Sequence, residues 1–403
     1  MKFFHIKQIY KACFIYRANE YILETVFQDV FGMMNKRRGF LRKAPIATIF
    51  VLATTLMMGV IASAAAQQRE GGLMRQDFRV STADGVALHV REVRGSGAIE
   101  RPALILVHGA RVPGIGSFDL DVPNGSLAGD LARLTGRAIF ILDARGYGQS
   151  DRPTAMDHPT RESKPLSRAY EVIRDIDAVA AIARQRTGID QVALLGWATG
   201  GMWAAYYASL WPEHVSELIT FNALYGGSGK HEGLGLGSSN DDPVHSGRFN
   251  SAIGGYALNT AASLLPSWDK TIPVQDKTEW RDPLVTEAYA RAALSSDPQS
   301  GDHQPPAFRA PLGAMEDSFY QATGRRLFDA ASIRAAVLVV RSEHDFWSRP
   351  EDAENFVHDA VHAESIRAVT LANATHYAHL DRPERGRSQF IDEVVKFLAG
   401  ERQ

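Results

Sequence analysis

Apolar and polar positions divide the chain into short runs of two alternating periods. DFRVSTADGVALHVREV, starting at Asp77, holds two β-rich runs around Asp84-Gly85 and reads as a hairpin. Ala103 to Val107 is a continuous apolar run, as a strand covered on both faces requires. A helix-like stretch from Ser126 to Leu134 leads to a second buried strand, Ala138 to Leu142. Tyr170 to Arg186 carries apolar residues at helical spacing, and Val192 to Leu195 is a third short buried strand. Met202 to Leu210 is helical again, and Leu218 to Leu224 is a fourth strand. This alternation predicts an α/β fold, a mostly parallel central sheet flanked by helices on both faces. Reactive residues in such sheets sit beyond the carboxyl ends of the strands.

Between Tyr225 and Ser332 the rhythm breaks. GGSGKHEGLGLGSSNDD is rich in glycine and polar residues; after it come helical patches such as Asp282 to Leu294 and no strong buried strand. A structureless loop of that length is improbable in a compact domain, so the expectation is a cap or lid inserted into the sheet order. The rhythm resumes with a strand at Ala336 to Val340, a helix at Pro350 to Val361, a last strand at Ala368 to Leu371 and a helix from Arg385 to Leu398. Residues 67–225 therefore read as the first part of the core, 226–332 as the cap and 333–403 as the second part.

The N-terminus has a different grammar. From Asn35 a basic region precedes an apolar run, Ile46 to Ala62, and then the small residues Ala62-Ser63-Ala64-Ala65-Ala66. That order is an export signal, and Arg37-Arg38-Gly39-Phe40-Leu41-Arg42 resembles the twin-arginine motif. Residues 33–66 are read as a cleaved signal, with the mature protein periplasmic or secreted and free of membrane. A membrane anchor is the alternative, since spanning takes roughly 20 apolar residues. Residues 1–32 read as a non-native upstream extension, with Met33 or Met34 as the start. Cys13, the sole cysteine, falls in that extension, so the mature chain has no disulfide and no thiolate nucleophile.

Apolar residues make up 45% and charged residues 22%, ordinary globular values. A formal charge of −2 gives no summed positive field for a phosphate backbone, so a small-molecule partner is expected and a nucleic acid is not. Nothing in the sequence specifies an oligomeric state.

The candidate chemistry lies at the strand ends: His108-Gly109-Ala110-Arg111, then Asp143-Ala144-Arg145-Gly146-Tyr147-Gly148-Gln149-Ser150, Gly196-Trp197-Ala198-Thr199-Gly200, Asp345 and His376. Together and in this order they resemble the α/β-hydrolase superfamily over nearly all of residues 76 to 400. The resemblance implies a nucleophile, an acid and a histidine in chain order. It places the nucleophile at Ala198, the acid at Asp345, with Glu343 as second candidate, and the general base at His376, with His379 competing. An acid position following the Leu218 to Leu224 strand would hold Tyr225 and glycines. The oxyanion hole would use backbone N–H groups of Thr199 and of Ala110 or Arg111. His344, His358 and His362 are expected on loops or helix faces.

Alanine fits a sharp elbow nearly as well as serine, but its methyl has no lone pair, so covalent catalysis at position 198 is excluded as the chain is written. Four readings follow: a serine-to-alanine variant of a hydrolase, attack by the Thr199 hydroxyl, water or proton chemistry run by His376 and Asp345 alone, or a non-catalytic binding protein. The substrate implied is an ester, lactone or amide of apolar or aromatic character. Trp197 beside the elbow and Trp203 are either core or substrate wall. The cap contributes Trp268, Trp280, Phe308, Phe319 and Tyr320 as candidate lining. Arg111 is either a partner for a substrate carboxylate or a solvated loop residue. No cofactor is expected, and the spacing of Glu343-His344-Asp345 suits no helix-borne metal pair.

Overall fold

A computed structural model describes residues 72–401. Residues 1–66, read above as an upstream extension and an export signal, and Cys13 among them, lie outside the described residues. Strands β1 (Met74–Ser81) and β2 (Ala87–Arg94) form the hairpin, closed at Asp84-Gly85 by the Thr82 N–H donating to the Val86 carbonyl at 2.9 Å. β3 (Ala103–Val107) and β4 (Ile139–Leu142) are buried along their whole length. Between them lie a short helix α1 (Gly114–Phe118) and α2 (Leu127–Thr135), whose start is capped by Ser126 Oγ accepting from the Gly129 N–H at 2.8 Å.

Helix α3 (Ala169–Thr187), strand β5 (Val192–Trp197), helix α4 (Thr199–Leu210) and strand β6 (Val215–Phe221) continue the alternation. The chain then leaves the main sheet. It forms β7 (Tyr256–Thr260), α5 (Leu265–Asp269), α6 (Pro283–Ser295), β8 (Ala307–Pro311) and α7 (Gly313–Ala322), and returns as β9 (Ala336–His344), α8 (Pro350–Asp359), β10 (Ser365–Thr375) and α9 (Arg387–Leu398). The main sheet has eight strands in the order β1-β2-β4-β3-β5-β6-β9-β10. β2 pairs antiparallel with β1 and β4, and every pairing from β4 to β10 is parallel. This is the expected sheet, flanked by helices, with strand ends converging beside β3 and β5. Among the described residues no helix is long and apolar enough to cross a membrane.

Three expectations need correction. β6 ends at Phe221, so the residue after it is Asn222 rather than Tyr225. β9 and β10 run on to His344 and Thr375, which puts Asp345 and His376 directly at strand ends. The region after Tyr225 also holds a buried strand: β8 pairs antiparallel with β7 in a separate two-stranded sheet, and all five of its residues are buried. Arg309 disguised it as polar. Its guanidinium is matched by Asp297 through bonds of 2.8 Å, so the charge enters the interior already paired.

Candidate active site

The turn from β5 into α4 is a tight elbow. Ala198 has φ 53° and ψ −118°, a region that costs a residue with a Cβ of order 1–3 kcal/mol unless its surroundings impose it. The surroundings do so. A Cβ on Gly200 would lie 2.1 Å from the Val107 carbonyl oxygen and 2.5 Å from that of His108, and one on Gly196 would lie 2.2 Å from the Gly200 carbonyl oxygen. Both positions therefore demand glycine, and β3, β5 and α4 close around the turn. The Ala198 N–H donates to the Phe221 carbonyl at 2.8 Å.

Thr199 is the first helical residue of α4, so its N–H has no acceptor within the helix. Its hydroxyl is buried without a hydrogen-bond partner. Gly109 faces the elbow, since a Cβ built on it would lie 3.3 Å from the Ala198 methyl. Ala110 and Arg111 follow directly, Arg111 with φ 78°. The described residues thus bring the His108-Gly109 turn against the Ala198 methyl. The start of α4 at Thr199 and the backbone that follows Gly109 both lie near the Ala198 methyl.

His108 is a strut rather than a base. It is wholly buried; Nδ1 lies 2.6 Å from the Gly109 carbonyl and Nε2 accepts the Ala144 N–H at 3.1 Å. Burial holds its pKa below the ordinary value, so the ring is neutral, with its proton assigned to Nδ1 by this network. The next turn is fixed likewise. The Asp143 carboxylate accepts the Gly114 N–H at 2.9 Å and the Gln149 N–H at 3.1 Å, and stands 3.0 Å from His89 Nδ1.

His376 follows β10 and Asp345 follows β9, and their Nδ1 and Oδ1 atoms lie 2.6 Å apart. Asp345 Oδ1 also accepts the Trp347 N–H at 3.1 Å, while Oδ2 accepts the Ser348 N–H at 2.7 Å and the Ser348 hydroxyl. A carboxylate with these donors cannot turn away, so it holds the proton of His376 on Nδ1 and leaves Nε2 as the basic atom. The His376 carbonyl is anchored by the Trp197 indole N–H and by Asn222 Nδ2, each at 3.1 Å. Asn222 also accepts the Ser342 N–H at 2.7 Å. This residue, hidden by the misplaced end of β6, binds three strand ends together.

The competitors fall elsewhere. His379 is fully buried, with ring centroids 4.4 Å from Trp197, 5.7 Å from Phe221 and 5.8 Å from Phe118, and burial pushes its pKa well below normal. Glu343 accepts the Asn373 N–H at 2.7 Å beside the bulge in β10. His358 stands exposed on α8, and His362 lies beside the Ala331 carbonyl. Among the described residues no group of three or more histidine, cysteine or acidic side chains could hold a metal ion.

Of the aromatic candidates, Trp197 packs on His376, with centroids 5.3 Å apart, and Trp203 lies in the core against His108 and Tyr147. Trp268 needs correction as a substrate contact. It is completely buried, stacks on Tyr377 at 4.7 Å and donates its indole N–H to Asp381 at 2.7 Å, so it supports the loop that carries His376. Trp280 lies under the Arg385 guanidinium at 4.5 Å, facing a surface cleft with Asn373 and Ser388. Phe308 and Phe319 are buried, and Tyr320 lies beneath Arg168 and Arg325. The rings that do reach His376 from the acid loop are Phe346 at 4.7 Å and Trp347 at 6.3 Å. Sequence reasoning passed over both, although they directly follow Asp345.

A family model for the alpha/beta hydrolase fold matches residues 102–383, which spans β3 to β10, the elbow, Asp345 and His376, and the chain belongs to that family. A proline iminopeptidase of Pestalotiopsis fici, PfmaB, is 34% identical over 123 residues, 30% of this chain and 37% of that protein. This chain therefore spans little more than a third of that relative. A meta-cleavage product hydrolase of Pseudomonas fluorescens, solved as a serine-to-alanine mutant with acetates, superposes with a TM-score of 0.51 at 16% identity, covering 80% of this chain and 97% of that one. A serine hydrolase from the polyaromatic hydrocarbon-degrading bacterium Cycloclasticus zankles superposes with a TM-score of 0.50 at 12% identity, covering 81% and 99%.

Proposed function

We propose that this chain is an exported hydrolase of carboxylic esters, lactones or amides with apolar or aromatic character, written with alanine in place of its attacking serine. The observation that carries the reading is the 2.6 Å contact between His376 and Asp345, held beside an elbow whose backbone keeps a strained nucleophile geometry. Residues 226–332 act in this reading as a cap, reaching the site through Ser263, Ser267 and Lys270. Export rests on the basic, apolar and small-residue order of residues 33–66.

With a hydroxyl at position 198, His376 Nε2 takes its proton as the oxygen attacks the substrate carbonyl. The C=O pair moves onto the oxygen, which the N–H groups of Thr199 and of Ala110 or Arg111 receive. His376 then returns the proton to the leaving group, and water repeats the cycle on the acyl intermediate. Each oxyanion donor contributes roughly 10²–10³ in rate. Without that hydroxyl the site binds and polarises a carbonyl but forms no bond to it.

Mass spectrometry after exposure to an aryl fluorophosphonate tests this. The Ala198→Ser variant should gain one covalent phosphonyl adduct at residue 198 and the parent chain none there. An unlabelled variant with native thermal stability would refute the reading.

A further inference from the structure

Two cations stand close to His376 without an acidic partner. Arg111 takes a left-handed φ of 78° on the turn beside the elbow, a conformation that favours glycine and that a long side chain adopts at a cost. Its guanidinium meets neutral groups: the Ser263 carbonyl at 3.1 Å, the Ser267 hydroxyl at 2.8 Å and the Tyr377 hydroxyl at 3.3 Å. Lys270, one residue beyond α5, holds its Nζ 3.7 Å above the Phe346 ring. No described carboxylate lies within ion-pair distance of either cation, whereas the buried Arg137, Arg145, Arg309 and Arg387 are each paired with one.

Both are one aromatic ring from the base. Phe346, under Lys270, lies 4.7 Å from the His376 ring, and Tyr377, bonded to Arg111, lies 5.1 Å from it on another side. Burial against Phe346, and then the charge of Arg111, lower the pKa of Lys270, while Asp345 opposes them. Asp345, the carboxylate that acts on Lys270, is already engaged by His376, Trp347 and Ser348, so both cations are left to attract an anion such as a carboxylate.

We propose that the substrate is a half-ester or half-amide of a dicarboxylic acid, whose free carboxylate sits between Arg111 and Lys270 while its acyl carbon faces position 198. This rests on the hydrolase reading for the acyl carbon and on the two cations for the acid. Arg111 supplies directed donors and Lys270 a mobile point charge. The Phe346 ring, partly exposed between Lys270 and His376, flanks the chain between the two ends of such a substrate.

The parent chain does not cleave such a ligand, so binding can be measured without chemistry. Calorimetry with monobenzyl succinate and its methyl ester should show the acid bound at least tenfold more tightly, with the difference shrinking in salt. Lys270→Gln and Arg111→Gln should each bring the two affinities towards equality. Equal binding by the parent, or variants that weaken both ligands alike, would overturn the assignment. Inorganic phosphate displacing the acid at equal concentration would also overturn it, in favour of a dianion site. If the acid is preferred but Ala198→Ser releases no benzyl alcohol from either compound, the cation assignment survives and the hydrolase reading fails. Benzyl alcohol release from both compounds at equal efficiency would do the opposite, supporting the hydrolase and removing the role of the two cations.

Discussion

His376 Nδ1 and Asp345 Oδ1 lie 2.6 Å apart, and the two side chains are 5% and 0% exposed. A carboxylate so withdrawn from water, with three donors from Trp347 and Ser348, can do little except orient that ring. In an Ala198→Ser background, Asp345→Asn should lower kcat/KM on an aryl ester by roughly 10³–10⁴ by releasing the tautomer. His376→Gln should lower it by at least as much, and Glu343→Gln by less than about threefold. Steady-state kinetics at neutral pH decide. An equal loss from Glu343→Gln would move the acid to that residue.

Gly200 meets the Val107 carbonyl so closely that any Cβ must displace backbone. Gly200→Ala should destabilise the chain by about 3 kcal/mol or more, at the upper end of overpacking effects. Gly237 has open space around it, but its positive φ of 78° makes Gly301, with open space and no such φ, the better control. Thermal melts of Gly200→Ala and Gly301→Ala should differ by many degrees; matching melts would show that the elbow is not packed as described.

Asp381 sits behind the catalytic loop, receiving the Trp268 indole N–H at 2.7 Å and bonded to Thr375 Oγ1 at 2.5 Å. Burial raises its carboxyl pKa to about 8. The folded state therefore holds a proton that the unfolded chain releases near pH 4, so this contribution is complete below pH 4 and is lost as pH rises through 8. Asp381→Asn, a neutral mimic, should melt below or with the parent at pH 5 and above it at pH 9. A difference independent of pH would show that Asp381 ionises normally.

His89 responds in a neighbouring window. Burial opposes its charge, but Asp143 at 3.0 Å and Asp77 at 3.6 Å prevail and raise its pKa to about 9. Relative to about 6.5 unfolded, the stabilisation is present in full below pH 6.5 and fades through pH 9, with an upper size on the order of 3 kcal/mol. His89→Gln should cost stability at pH 6 and almost none at pH 10. The His89 ring protons, followed by NMR, should titrate near 9 rather than near 6.5.

Much of the fold was legible because the strands of a doubly covered parallel sheet are unbroken apolar runs: Ala103–Val107 and Val192–Leu195 declare themselves, the second running on to Trp197 in the structure. The order elbow, acid, histidine pointed to Ala198, Asp345 and His376, and the structure brings the last two to 2.6 Å of each other. The losses have physical causes. β6 could slide by three residues on paper, because Phe221, Ala223 and Leu224 are all apolar, and the slip concealed Asn222. β8 was masked by Arg309, whose partner Asp297 lies in the turn after α6. Trp268 reads as substrate wall by composition, yet its indole N–H finds Asp381, and only tertiary contact reveals that. Phe346 and Trp347 lay in plain view beside Asp345, but their approach to His376 depends on how the acid loop turns back.

The most direct test is the rate of aryl ester hydrolysis by the parent, by Ala198→Ser and by Ala198→Ser combined with His376→Ala. Serine should raise kcat/KM at least 10³-fold, and removing the imidazole should abolish the gain. A parent that already turns over the ester, or a serine variant whose gain survives without His376, would contradict a site that lacks only its attacking oxygen.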